Sequence, residues 1–304
     1  MQRREFLQKT SFSSLMLAGG AFPFAALETG DFLKLTILHT NDVHSRIEPF
    51  PMDGSKMQGL GGAARRAALI KEIRTAEKNI LLLDAGDFFQ GTPYFNYFGG
   101  ELEIKLMSEM GYDAATLGNH DFDKGTDGLA KQMHHANFPF IICNYDLKNT
   151  ELDRRTISYK IFEKEGLKIG VTGVGINLDG LVPKSLFRET RYLDPVENAN
   201  RTARQLRHDH GCHYVICLSH LGFENNDNKI SDRIFVAQSE DIDLIIGGHS
   251  HTFMDKPAIL KNKSGKSVLV NQVGWGGVIL GRLDVYFEKS FKPFHTLFKS
   301  QKID

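Results

Sequence analysis

Aspartate, histidine and asparagine gather in five short stretches of this 304-residue chain. They are Asp42-Val43-His44, Gly86-Asp87, Gly118-Asn119-His120-Asp121-Phe122-Asp123, Ser219-His220 and Gly247-Gly248-His249-Ser250-His251. The third follows an apolar run, Ala114 to Leu117, and offers an amide, an imidazole and two carboxylates in quick succession. Burying such a set is costly unless a positive charge faces it. An asparagine carbonyl suits a hard divalent ion that carboxylate and imidazole already hold. Asp-x-His and His-x-His set two donors two residues apart, so in an extended loop both side chains can turn toward one point. Without cysteine among them, these donors favour manganese, zinc, iron or cobalt.

The elements that must position these donors recur in a regular order. Strands are expected at Phe32 to Leu38, Ile80 to Leu83, Asp113 to Leu117 and Phe138 to Cys143, with a strand pair at Tyr159 to Phe162 and Leu167 to Val174. Further strands are expected at Tyr214 to Leu218 and Asp243 to Ile246. Ser267 to Val273 and Val278 to Phe287 alternate like antiparallel strands closing a sheet. Helical patterns cover Gly61 to Ala76, Glu101 to Met110 and Thr126 to Ala136, and Asp194-Pro195 opens another that runs to about His210. Every candidate donor then falls just past the carboxyl end of a strand, where open α/β sheets place their sites. Periodicity alone gives an α/β class.

In this order and spacing the five stretches resemble the signature of the calcineurin-like metallophosphoesterases, from about Lys34 to Phe287. The strings Thr40-Asn41-Asp42-Val43-His44-Ser45-Arg46, Gly86-Asp87-Phe88-Phe89-Gln90-Gly91 and Gly118 to Asp123 look like the 5'-nucleotidase branch of that superfamily. The resemblance implies a four-layer α/β/β/α sandwich of two mixed sheets with flanking helices. It also implies two divalent metal ions: Asp42, His44 and His251 hold one, Asn119, His220 and His249 hold the other, and Asp87 bridges them. Two ions on one carboxylate sit roughly 3.5 to 4 Å apart, a clamp suited to in-line attack on phosphorus. His120 and Asp123 match the family's catalytic dyad, in which the imidazole stabilises charge on the transferring phosphoryl group or leaving oxygen. Asn119, His120 and Arg46 are the candidate substrate contacts, although an exposed salt bridge serves Arg46 equally well.

The implied activity is phosphoester hydrolysis, with a nucleotide or related small phosphomonoester as substrate. Members of this branch continue into a second, substrate-binding domain, whereas 17 residues follow Phe287 here. Residues 31–304 therefore read as a catalytic domain without that C-terminal substrate domain; either a separate chain supplies it, or the substrate is a different, smaller phosphoester. An exported thiosulfohydrolase of the same branch and a non-catalytic metal-binding subunit are the competing readings.

Lys plus Arg and Asp plus Glu both number 37, so no basic field advertises a nucleic-acid polymer. Residues 1–30 read as an export signal and spacer: Arg3-Arg4-Glu5-Phe6-Leu7 resembles the twin-arginine class and precedes an apolar stretch, Ser11 to Ala26, too short for an ordinary membrane span. A general secretory signal or an uncleaved anchor is the alternative. The expected location is the periplasm, free or membrane-anchored, with no transmembrane span in the mature protein. Cys143, Cys212 and Cys217 lie in or beside apolar runs and read as buried thiols. Phe88, Phe89, Tyr94, Phe95, Tyr97 and Phe98 crowd the segment after Asp87, as core packing or as an apolar rim for a nucleobase or partner. His39 is expected behind the site and Asp121 in a structural role, and His134, His135, His208, His210, His213 and His295 in ordinary packing.

Overall fold

Runs such as Ile80-Leu81-Leu82-Leu83 are apolar at every position because the strands they form are covered on both faces. The computed structural model describes residues 32–225 and 229–304, so the leader expected over residues 1–30 lies outside the described residues. One sheet has the strand order Pro293–Phe298, Ile279–Glu288, Phe32–Thr40, Ile80–Asp84, Ala114–Ala115, Phe140–Ile141 and Thr156–Ile157, and Gln301–Lys302 also pairs with Ile279–Glu288. From Phe32–Thr40 through Thr156–Ile157 its strands run parallel, while Ile279–Glu288 is antiparallel to its neighbours. The other sheet has the order Ala258–Lys261, Ser267–Asn271, Leu244–Gly247, Tyr214–Ser219, Leu167–Val174 and Tyr159–Lys164, parallel in the middle and antiparallel at both edges.

Side chains alternate across each strand and sort the core into layers. Leu35, Ile37, Leu81 and Leu83 from the first sheet meet Val171, Ile216, Leu218, Leu244 and Ile246 from the second. On the outer face of the first sheet, Leu38 and Leu82 pack with Ile70 and Ile73 of the Ala63–Ala76 helix and Ile104 and Met107 of Glu101–Met110. On the outer face of the second, Val215, Cys217 and Ile245 pack with Ala199 and Ala203 of Pro195–Arg204 and Phe235 of Asp232–Gln238. The architecture is the expected four-layer α/β/β/α sandwich of two mixed sheets.

Local chemistry explains the element ends. The Asp194 carboxylate accepts the Glu197 amide at 2.8 Å with Pro195 at the first helical position, so the helix starts where expected. It continues through a π-helical turn, Gln205–Asp209. Gly61 and Gly62 have φ of 79° and 98°, which delays the next helix to Ala63. The strands at Ala114–Ala115 and Phe140–Ile141 are shorter than the apolar runs that contain them, and after Ala114–Ala115 the chain leaves the sheet to enter the Asn119 loop. One expectation needs correction. Ser267–Asn271 and Ile279–Glu288 do not close one sheet together: they lie in different sheets, and the connection between them crosses from one to the other. Seven residues of extended chain cover up to about 23 Å, ample for a sheet separation of about 10 Å. All three cysteines are buried and free, as the apolar runs around them suggested.

Leu83 is fully buried between the sheets. Leu83→Ala is expected to lower unfolding free energy by about 2–5 kcal/mol. Denaturant titration reads this directly, and an unchanged midpoint would contradict the layer assignment.

Candidate metal centre

Five strands end in the loops that carry the donors. Phe32–Thr40 leads to Asp42 and His44, Ile80–Asp84 to Asp87, Ala114–Ala115 to Asn119, Tyr214–Ser219 to His220, and Leu244–Gly247 to His249 and His251. Three of these strands belong to one sheet and two to the other, so the site straddles the top of the layer between them. The turns are sharp. Asp42, His44, Asp87, His249 and His251 have φ of 49°, 50°, 57°, 71° and 52°, a region that side-chain-bearing residues rarely occupy and that costs about 1–3 kcal/mol each.

The donors converge in two groups, Asp42 with His44 and His251, and Asp87 with His220 and His249, with the donor atoms of each group within 4.8 Å of one another. His44 Nε2 faces His251 Nε2 at 3.0 Å, and Asp42 Oδ1 is 3.4 Å from His251 Nε2. In the second group His220 Nε2 is 3.0 Å from Asp87 Oδ2, and Asn119 Oδ1 is 2.9 Å from His249 Nδ1. The groups adjoin, since Asp42 Oδ1 is 4.0 Å from His220 Nε2. Asp42 is itself held by the His249 amide, which reaches both its oxygens at 3.0 Å, and by Asn41 Nδ2 at 2.6 Å.

Two observations fit a cation here. His220 is fully buried and its Nδ1 is 2.7 Å from the Ala85 carbonyl, which leaves Nε2 aimed at the Asp87 and Asp42 carboxylates at 3.0 and 4.0 Å. A Cβ on Gly118 would stand 2.2 Å from Asp87 Oδ1 and 2.6 Å from His220 Nε2, so glycine leaves open the space between them. Burial alone would push the His220 imidazole down, but Asp87 and Asp42 overcome it and carry the group up to about 10. Its proton supplies positive charge that a divalent ion would otherwise bring. Burial, and then His220, push His249 down to about 4. Burial would raise the Asp87 carboxyl, yet His220, His44 and His120 hold it well below the usual range.

His120 stands beside the two groups. Its Nδ1 is 2.9 Å from Asp123 Oδ2, and its backbone amide donates to Asp87 Oδ1 at 2.7 Å. The hydrogen bond to Asp123 raises its basicity, against partial burial. With His44, Gln90, Gly91, His251 and Trp275 it lines a depression of about 210 Å³ over the donors. Arg46 is not part of that lining, and its guanidinium lies 4.1 Å over the Phe50 ring.

The chain matches the family model of calcineurin-like phosphoesterases over residues 35–253. It belongs to that family. The chain is 36% identical over 300 residues to snake venom 5'-nucleotidase from Gloydius brevicauda, covering 90% of the present chain and 49% of the relative. A solved 5'-nucleotidase precursor from Thermus thermophilus superposes with a TM-score of 0.81 at 31% identity, over 89% of this chain and 55% of that one. The calcineurin-like phosphoesterase YfkN from Bacillus subtilis gives 0.74 at 27% identity, over 90% and 91% of the two chains. The chain thus spans about half the length of the curated 5'-nucleotidases it matches.

Several residues that brace the donors carry no clear signal in the sequence. Asn41 stands there only as part of a motif, yet its amide accepts from Val273 N at 3.0 Å and donates to Gly274 O at 2.6 Å. Asp84 is buried and accepts from Gly86 N at 2.8 Å and Thr40 Oγ1 at 2.5 Å, and burial carries its carboxyl up to about 7. Trp275 gave one signal, being the chain's single tryptophan, set among glycines. His39 lies beneath the site and receives Asn271 Nδ2 at 2.8 Å, a bond between the two sheets. The remaining histidines take no part in either donor group among the described residues. Phe88, Phe89 and Phe95 are core, whereas Tyr97 and Phe98 are exposed, and none of the six aromatics lines the depression.

Asp121 is structural. One oxygen accepts Asp87 N at 3.0 Å and Gly118 N at 2.8 Å, and the other accepts Phe89 N at 3.2 Å. It therefore ties the Asp87 loop to the Asn119 loop. Asp121→Ala would leave three buried amides without acceptors, each worth about 1–3 kcal/mol. A loss of at least about 3 kcal/mol in unfolding free energy, with weaker metal retention, is the expected result; a variant as stable as the parent would show that the two loops do not depend on this carboxylate.

Proposed function

We propose that this chain is a phosphoester hydrolase that uses two divalent ions, with nucleoside 5'-monophosphates or closely related phosphomonoesters as substrates. The observation that carries this reading is the convergence of six donors from four loops into two adjoining groups, with Asn119 Oδ1 from a fifth loop 2.9 Å from His249 Nδ1. Asp42, His44 and His251 would hold one ion, and Asn119, His220 and His249 the other, with the Asp87 carboxylate shared between them. The metals remain manganese, zinc, iron or cobalt, the ions that this donor chemistry suits. Bound ions supply Lewis acidity toward water and the phosphoryl oxygens.

The chain's own residues do the rest. Asp123 orients the His120 ring and favours its protonated form, so the outer N–H can donate to the transferring phosphoryl group or the departing oxygen. Asn119 carries an amide next to that group, and the buried wall of Asp42 and Asp87 keeps the His44 and His220 rings in place. The relatives named as 5'-nucleotidases support nucleotides as the substrate class. Export through the twin-arginine-like leader is part of the same reading, and the venom source of one relative fits a protein that works outside the cytoplasm. No helix among the described residues is long and apolar enough to cross a membrane.

Phosphate release by the manganese-loaded full chain, measured across nucleoside monophosphates and simple phosphomonoesters, tests the activity. Asp87→Asn removes the shared carboxylate and should abolish turnover by several orders of magnitude; near-normal activity would overturn the two-ion assignment. His120→Asn should keep its metal, by elemental analysis, while turnover falls about 10²- to 10⁴-fold, the usual contribution of a proton-handling group. Loss of metal in that variant would make His120 a ligand instead.

A further inference from the structure

Trp275 sits in a loop built to present it. Residues 272–278 carry the chain from Ser267–Asn271 in one sheet to Ile279–Glu288 in the other. Asn41 clamps the loop at Val273 and Gly274, and the Gly276 amide donates to the Asp42 carbonyl at 2.7 Å. Gly274, Gly276 and Gly277 have φ of 76°, 67° and 60°, and a Cβ on them would stand 2.1 Å from the Phe253 ring, 2.8 Å from the Phe50 ring and 2.1 Å from Arg66 Nη1. Between Gly274 and Gly277 these crowded glycines thus leave one side chain, Trp275, and it does not enter the core. Trp275 is half-buried and forms part of the wall of the 210 Å³ depression beside His44, Gln90, His120 and His251.

Its ring is fixed from behind. Trp275 stacks on His251 with 16° between planes and 5.6 Å between centroids, and Phe50 meets it edge-on at 5.3 Å. Arg46 in turn covers Phe50. This arrangement gives Arg46 a place in the site as backing for a stack, rather than as a phosphate contact. A phosphoryl group lying over the donors and touching His120 leaves the departing part of the ester in the same depression, against the indole. Rigid aromatic surface favours a flat ring, and stacking tolerates any base because each has a π-face.

We propose that Trp275 is the specificity-determining wall of the leaving-group pocket, selecting phosphomonoesters whose leaving group carries a flat aromatic ring over aliphatic ones. The inference rests on the phosphoester-hydrolase reading above and deepens it by assigning selectivity to this domain's own residues.

The test compares kcat/KM of the manganese-loaded full chain for adenosine 5'-monophosphate, 4-nitrophenyl phosphate and glycerol 3-phosphate, in the parent, Trp275→Leu and Trp275→Phe. Taking each ratio relative to the parent cancels the intrinsic reactivity of the esters. Trp275→Leu should lower the adenosine-to-glycerol ratio about tenfold or more, mainly through KM, and Trp275→Phe should recover most of it. A parallel fall for the nitrophenyl ester means that any aromatic leaving group is selected; an intact nitrophenyl ratio narrows the selection to nucleosides. Equal losses on all three esters, accompanied by lower metal content, would overturn the proposal and leave Trp275 as a support for His251. A second readout is independent of turnover. Because Trp275 is the single tryptophan, adenosine without phosphate should quench the indole emission of the parent saturably. Should no ester be hydrolysed, the hydrolase reading fails while this titration still decides the pocket, and an emission unmoved by millimolar adenosine overturns it.

Discussion

Two buried carboxylates that face the same space govern this structure. Asp42 comes from one loop and Asp87 from the next, both lie almost wholly out of water, and His220 from the opposite sheet points its Nε2 at both, 4.0 Å from Asp42 and 3.0 Å from Asp87. Such a centre is unfavourable unless a positive charge occupies it. The sandwich supplies the means of enforcing it. Leucine, isoleucine and valine between the sheets fix their separation, so donors from one sheet meet donors from the other whether or not the charges welcome it.

The loops show how hard the scaffold works against local preference. Five of the donors sit at positive φ, a conformation kept only where the surroundings over-determine it. The surroundings here are polar braces rather than more apolar packing. Asp121 collects amides from two loops, Asp84 holds the turn at Gly86, and Asn41 ties the first loop to the crossing that bears Trp275. Each brace is a side chain satisfying backbone groups that a sharp turn would otherwise leave bare. Rigidity of this kind suits a centre whose function depends on donor placement to a fraction of an ångström.

Above the donors, the depression takes its lining from both sheets as well. Gln90 and Gly91 follow the Asp87 loop, whereas Trp275 comes from the connection between sheets. That division separates the chemistry from the selection of what leaves. The chain spans about half the length of the curated relatives it matches, and an aromatic wall of its own gives this half a means of discriminating among esters.

The sequence by itself determined the α/β class and the candidate donors and, through its resemblance to a family, the four-layer plan, because the signals it carries are local. Alternating or continuous apolar runs define strands, Asp194-Pro195 marks a helix start, and Asp-x-His or His-x-His spacing marks loops that can face one point. Only the tertiary structure decided which strands share a sheet, that Ser267–Asn271 and Ile279–Glu288 part company, and that the aromatic wall is Trp275 rather than the cluster after Asp87. Those outcomes depend on contacts between residues more than 200 positions apart, such as Asn41 with Gly274 and His44 with His251. Periodicity records the face on which a side chain lies, but the partner across the gap is set by how two sheets pack.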